Sequence, residues 1–284
     1  MSEAVDIRLA HSPDADDAFM FYALATRKVA SPGLKFTHIL SDIETLNREA
    51  QRATYDVTAI SLSAYPLVAD KYLLMDCGAS FGDGYGPLVV SARPLLPKDL
   101  AGLRVAVPGP MTSSYLALKL FSPQVQTVTM PFDKILGAVK EGAAEAGLII
   151  HEGQLTYGQM GLHRVIDLGV WWQQETKLPL PLGGNVIRRS LERPVALAAT
   201  AAIRRSIRYA LDHREEALNY AMQFAHELDP EMADRFVGMY VNQWTLGYGE
   251  VGRRAVNELL SRGAAAGIIP GPVVPEFLVE DDAA

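Results

Sequence analysis

Among the groups that could move a proton, one histidine stands in a telling place. His151 closes the apolar run Ala146 to Ile150 and is followed by Glu152 and Gly153. A short apolar run of this kind reads as a buried strand, so the imidazole is delivered at its carboxyl end. With an ordinary pKa near 6.5 it can take or give a proton at neutral pH. Chemistry and a structural role, in which the ring is simply hydrogen-bonded at the strand end, weigh about equally for it. Glu152 either orients the ring or faces solvent.

Three further segments could hold an anion or a metal. His11-Ser12-Pro13-Asp14-Ala15-Asp16-Asp17 lies between the first strand and the first helix. His11 and the aspartates match none of the usual metal-ligand spacings, and Asp16 and Asp17 are as well explained by the positive end of the helix they open. No metal is expected. Ser61-Leu62-Ser63-Ala64-Tyr65 and Gly109-Pro110-Met111-Thr112-Ser113-Ser114-Tyr115 are both strand-to-helix turns. Hydroxyls and free backbone N–H groups at such turns suit a carboxylate, although Thr112 alone could merely cap its helix. Gly82 to Gly86 precedes a strand instead of joining a strand to a helix, so it is no dinucleotide fingerprint. Ser113 lacks the setting of a hydrolase nucleophile. His38, His163, His213 and His226 read as structural, and Trp171 and Trp172 as packing.

The elements that must position these groups follow a βαβ rhythm, apolar runs of four to six residues alternating with segments of helical period. Ile7 to His11, Leu34 to Leu40 and Val57 to Ser61 read as strands, with helices over Ala18 to Thr26 and from a Ser41–Glu44 capping box to Arg52. The pattern restarts at Arg104. Strands at Arg104 to Val107, Val125 to Thr129 and Ala146 to Ile150 alternate with helices at Thr112 to Phe121 and Asp133 to Glu141. Pro87 to Ala92 leads out of the first lobe and Pro181 to Arg188 leads back. Mainly helical patterns follow, over Pro194 to Phe224, Pro230 to Gln243 and Val251 to Ala264, before a tail at Glu280 to Ala284 expected to fray. These features predict an α/β molecule of two lobes with mostly parallel sheets and a central cleft. The first lobe is discontinuous, residues 1–92 and 189–284, and the second spans residues 93–188. Such a cleft collects strand ends and helix starts from both sides.

Composition narrows the partners. Lys and Arg total 26 against 33 for Asp and Glu, a net charge of −7, which offers no footprint for nucleic acid or an anionic membrane. The single cysteine, Cys77, leaves no internal disulfide and points to a reducing compartment. Neither an export signal nor a stretch able to cross a bilayer is visible, so a cytoplasmic protein is expected.

Taken together, the segments resemble one family, the 1,4-dihydroxy-6-naphthoate synthases of the futalosine route to menaquinone. The resemblance rests on Ser12-Pro13 with Asp17 and Phe19 to Leu24, on Asp42 to Asn47, and on Gly86 to Val90. It continues through Val105 to Gly109 with Thr112, Gly147 to Glu152, Asp167 to Gly169 with Trp171-Trp172, and Leu178 to Gly183. It implies a type II periplasmic-binding-protein-like fold and a cofactor-free cleavage of cyclic dehypoxanthinyl futalosine, with His151 as proton acceptor. It also implies substrate contacts at Ala59, Ile60, Ser61, Ser113 and Ser114. The cleft is expected to include Ser12, Asp14, Asp16, Thr112 and Glu152 as well. Two departures stand out: the family's Ser-Pro-Cys-Pro-Asn-Asp-Thr-Phe is replaced by the more acidic Ser12 to Phe19, and a turn residue that is often basic is Ala59 here. The expected partner is a small carboxylated molecule, and a homodimer is compatible with the sequence. A non-catalytic solute-binding protein and the chorismate dehydratase of the same pathway are the alternative readings.

Overall fold

A computed structural model of the chain describes residues 4–224 and 229–279. His226 and the tail at Glu280 to Ala284, both discussed above, lie outside the described residues. The chain opens with β1 (Val5–His11), α1 (Ala15–Ala25), β2 (Leu34–Leu40), α2 (Ile43–Ala50), β3 (Val57–Ser61), β4 (Tyr72–Met75) and β5 (Ser80–Gly82). It then crosses into a second sheet through β6 (Leu88–Ser91), β7 (Arg104–Val107), α3 (Ser113–Phe121), β8 (Gln126–Thr129), α4 (Ile135–Lys140), β9 (Ala146–Ile149), α5 (Gly153–Thr156), β10 (His163–Asp167) and α6 (Leu168–Thr176). It returns on β11 (Leu180–Arg188) to α7 (Arg193–Asp212), α8 (Arg214–Ala221), α9 (Pro230–Tyr240), α10 (Gln243–Leu246), α11 (Gly249–Ala265) and β12 (Phe277–Leu278).

Each lobe is built on one sheet. The first runs β12-β4-β11-β3-β1-β2 with β5 on a further stretch of β11, and the second runs β10-β6-β9-β7-β8. The expectation of mostly parallel sheets is corrected: five of the strand pairings are parallel and five antiparallel. Every antiparallel pairing involves β6 or β11. The βαβ units force parallel neighbours through their helical crossovers, whereas the two strands that carry the chain between lobes enter from the opposite end. Sheet membership also divides the chain at other points than residues 92 and 188, because β6 pairs only within the second sheet and β11 only within the first.

Local chemistry explains the helix starts that aim at the cleft. In α1 the first turn carries Asp16 and Asp17, and the remainder, Ala18 to Leu24, is buried on every side. A helix apolar all round must be sandwiched. It lies between β1, with Ile7 and Leu9, and α7, with Ile203 and Ile207, in one cluster. The capping box expected from Ser41 is instead a cap by Asp42, whose carboxylate accepts from the Thr45 N–H at 3.0 Å. Thr112 caps α3 by accepting from the Tyr115 N–H at 3.2 Å. The long helix expected to run on to Phe224 breaks at His213, where the backbone leaves helical angles and the ring stacks on Tyr209. Trp172 is fully buried in the core of the second lobe, and Trp171 packs edge-on against Phe121.

Candidate functional site

The carboxyl ends of β1 and β3, the starts of α1 and α3, and the middle of β11 converge on one cavity enclosing about 820 Å³, part of it open to solvent. Its lining includes Ser12, Asp14, Asp16, Thr112, Ser113, Ser114, Ala59, Ile60 and Ser61, so nine of the residues expected from the sequence meet here. His151 and Glu152 do not line it. Their neighbour Ile150 does, and it also lines a second hollow with Phe132, Pro131 and Glu44.

The His151 side chain is 14% exposed. Its Nδ1 accepts from the Gly153 N–H at 3.2 Å, and its Nε2–H donates to the Phe132 carbonyl at 3.2 Å, a division of roles set by these two partners. Glu152 Oε2 stands 3.7 Å from Nδ1. Burial pulls the imidazole pKa down, but the Glu152 carboxylate, the Phe132 carbonyl and Asp14 outweigh it and leave it above 6.5. The ring is therefore held ready to carry a proton.

The acidic loop is tied down by Ser12. Its N–H donates to Asp17 at 2.7 Å, and its hydroxyl donates to Asp14 at 3.1 Å. Burial raises the carboxyl pKa of Asp14 to about 7, helped by Glu152 and Asp17 and opposed by Ser12 and His151. Asp17 is raised by burial to about 6 against the Ser12 hydrogen bonds, and Asp16 is raised by burial and by its carboxylate neighbours. Beneath the loop, the Nδ1–H of His11 donates to the Ser12 carbonyl at 2.9 Å, and its Nε2 accepts from His38 at 3.0 Å. Burial and the His38 ring lower the His11 pKa to about 3, so His11 stays neutral and shapes the loop. His38, read above as structural, forms half of this pair. Among the described residues no group of three or more His, Cys, Asp or Glu side chains is placed to hold a metal ion.

The two hydroxyl-bearing turns meet each other directly. Ser63 donates from its N–H to Ser113 Oγ at 3.1 Å and from its hydroxyl to the Met111 carbonyl at 2.6 Å. The Ser113 hydroxyl donates to the Leu182 carbonyl at 2.6 Å. Leu182 is skipped in the register of β11 with β5, so its carbonyl is turned out of the ladder and available. Ser113 is thus a clamp between lobes, whereas the Ser114 hydroxyl is hydrogen-bonded, among the described residues, to Thr112 Oγ1 alone, at 3.0 Å. Ser61 is held by the Asn47 amide, which donates to its Oγ at 3.1 Å and accepts from its N–H at 2.8 Å.

The cavity also takes in Gly78, Ser80, Asn185, Phe236 and Tyr240, which sequence reasoning did not single out. Asn185 had a signal, being the one polar residue of β11 before its terminal Arg188. Phe236 and Tyr240 had none, since aromatics four apart on a helix ordinarily pack a core. Tyr240 reaches across to the second lobe and donates to Gln154 Oε1 at 2.7 Å. Of the described residues lining the cavity, three are aspartates and none is Lys or Arg.

Two lobes, each on its own mixed sheet, joined by two crossing strands around a ligand-sized cleft, define a periplasmic-binding-protein-like molecule. A Candida albicans protein described as exhibiting that generic fold superposes with a TM-score of 0.70 at 13% identity, over 94% of this chain and 92% of that one. The chain belongs to the menaquinone biosynthesis family, whose model matches residues 7–265. It is 45% identical to the 1,4-dihydroxy-6-naphthoate synthase of Thermus thermophilus over 96% of this chain and 99% of that protein. It is 40% identical to the Streptomyces coelicolor protein of the same name, over 93% and 95%. A crystal structure of an Archaeoglobus fulgidus protein, 48% identical, superposes with a TM-score of 0.90 over 93% of this chain and 98% of that one. No helix among the described residues is long and apolar enough to cross a membrane.

Proposed function

We propose that this chain is a cofactor-free lyase that converts cyclic dehypoxanthinyl futalosine to 1,4-dihydroxy-6-naphthoate, with His151 as the general base. The observation that carries this reading is the imidazole at the end of β9, its Nδ1 facing Glu152 and its pKa raised. Proton uptake at Nδ1 puts the new positive charge beside that carboxylate. The electron pair left on the substrate drives carbon–carbon fragmentation of the sugar-derived ring, and loss of that fragment lets the bicyclic ring become aromatic. His151 is not among the residues that line the cavity, so reaching the substrate requires the ring to move toward it as the lobes shift. General-base catalysis contributes about 10² to 10⁴ in rate.

Incubation of the purified protein with cyclic dehypoxanthinyl futalosine and, separately, with chorismate tests the proposal by mass detection of products. Product from the first alone supports it. Product from chorismate would identify a dehydratase, and binding without product a solute receptor. One observation favours a second assignment of the base: Asp14, unlike His151, lines the cavity, and its carboxyl is raised to about 7. In that version Asp14 takes the proton and His151 stabilises its charge. His151→Asn lowering kcat far more than Asp14→Asn supports the imidazole, and the reverse order supports the carboxylate.

A further inference from the structure

The cleft presents an unusual match to an acid-bearing guest. Its lining among the described residues carries Asp14, Asp16 and Asp17 on the side of β1 and no Lys or Arg to meet a carboxylate. Any ligand anion must then be held by neutral donors placed away from the aspartates.

One group answers that description. Asn185 is 1% exposed, lines the cavity, and its Nδ2 has no hydrogen-bond partner among the described residues. A buried amide N–H left unpaired costs on the order of 1–3 kcal/mol, so a ligand acceptor would recover what the free protein forgoes. The surroundings are shaped around it. Asn185 lies directly opposite Ala59 on β3, so both side chains stand on the same face of the sheet. The small methyl of Ala59 leaves that face open. Ser61, two residues along β3, shares the face and accepts from Asn47, which leaves its own O–H to donate. On the other side Gly78 approaches so closely that a Cβ there would lie 2.0 Å from Asn185 Nδ2. The Gly78 backbone is pinned by its N–H donating to the Thr245 carbonyl at 2.7 Å, so the amide has little room to turn away.

In the first sheet β3 separates β11 from β1, so Asn185 and the acidic loop after β1 stand two strand spacings apart, about 10 Å. That span suits a fused two-ring molecule with a carboxylate at one end and hydroxyls at the other. We infer that Asn185, with Ser61, receives the carboxylate of the ligand, and that the aspartates take its hydroxyl-bearing end. Asn185 thereby determines which way round the ligand lies. This rests on the reaction proposed above and adds to it the orientation of the substrate.

Calorimetric titration with two probes tests the inference: 1,4-dihydroxy-6-naphthoate, and 1,4-naphthalenediol, which has the same rings and no carboxylate. Asn185→Leu and Asn185→Ala are both made, with melting curves to check that each folds. Either variant should bind the naphthoate about 10-fold or more weakly, the loss expected for a hydrogen bond to a charged group. Binding of the diol should stay within about two-fold. Unchanged naphthoate affinity in both folded Asn185 variants, or equal weakening of the two probes, would overturn it. Turnover of the cyclic substrate by the unaltered protein is measured alongside. Selective naphthoate loss without turnover supports Asn185 while removing the proposed reaction, and turnover with no selective loss overturns Asn185 alone.

Discussion

Ser113 and Ser114 are adjacent, equally buried and both on the cavity, yet they should respond very differently to loss of the hydroxyl. Ser113 Oγ serves two backbone groups from the other lobe, the Leu182 carbonyl at 2.6 Å and the Ser63 N–H at 3.1 Å. Ser113→Ala strands both. At about 1–2 kcal/mol for each group left unsatisfied, the cost is about 2–4 kcal/mol. For a chain of this size that corresponds to a melting temperature lower by roughly 4–8 °C. Ser114 donates to Thr112 Oγ1, which itself donates to the Gly109 carbonyl at 2.8 Å and accepts from the Tyr115 N–H. Thr112 keeps those two bonds when the Ser114 hydroxyl is removed, so Ser114→Ala should cost less than about 1 kcal/mol. Differential scanning calorimetry of the two variants, in parallel with binding of the naphthoate, separates clamp from contact. A Ser113→Ala melt within 1–2 °C of the unaltered protein, on the order of the scatter for a neutral change, would refute the reasoning. So would an equal drop for Ser114→Ala.

Other outcomes follow from the same geometry. His151→Asn should lower kcat by about 10² to 10⁴ with little change in substrate affinity, read by single-turnover mass detection. The half-buried carboxyls of Asp14, Asp16 and Asp17 have raised pKa values, so the fold favours their protonated forms. Stability should therefore fall as pH rises from near 3.8 through the raised values, about 7 for Asp14. Asp14→Asn and Asp16→Asn should accordingly raise the melting temperature more at about pH 8, above that window, than at about pH 4.5, near its lower edge. An equal effect at both would show that the carboxyls are not held in that state. Gly78→Ala combines a positive φ of 76° with a Cβ driven into the Asn185 amide, and should cost about 1–3 kcal/mol in a chemical denaturation series. Adding Asn185→Ala should return part of that loss, and strict additivity of the two changes would show that they do not touch.

Much of the fold was legible in the sequence because it is written in short-range periods. β1, β3, β7 and β9 are apolar runs bounded by turn residues, and the Pro- and Gly-rich stretches before β6 and around β11 announced the crossings. The ends of such strands are where helix starts and loops gather, so Ser12, Asp14, Ser61 and Ser113 could be picked out before any packing was known. An imidazole closing a buried strand is likewise a local pattern, so the position of His151 just after β9 could be read from the sequence.

What sequence alone could not decide is how distant residues share space. Nothing local pairs Asn185 with Ala59, sets His38 against His11, or turns the Leu182 carbonyl toward Ser113. Each of those contacts joins segments from different elements, and two of them depend on β11 running antiparallel to its neighbours. The electrostatics of the cleft are likewise a tertiary property. The charge on Asp14 or His151 depends on which groups are buried beside it, and the residue type sets only its starting point. The surroundings of the His151 ring, held between the Phe132 carbonyl and the Gly153 N–H and edge-on to the Phe132 ring, were likewise decided by packing.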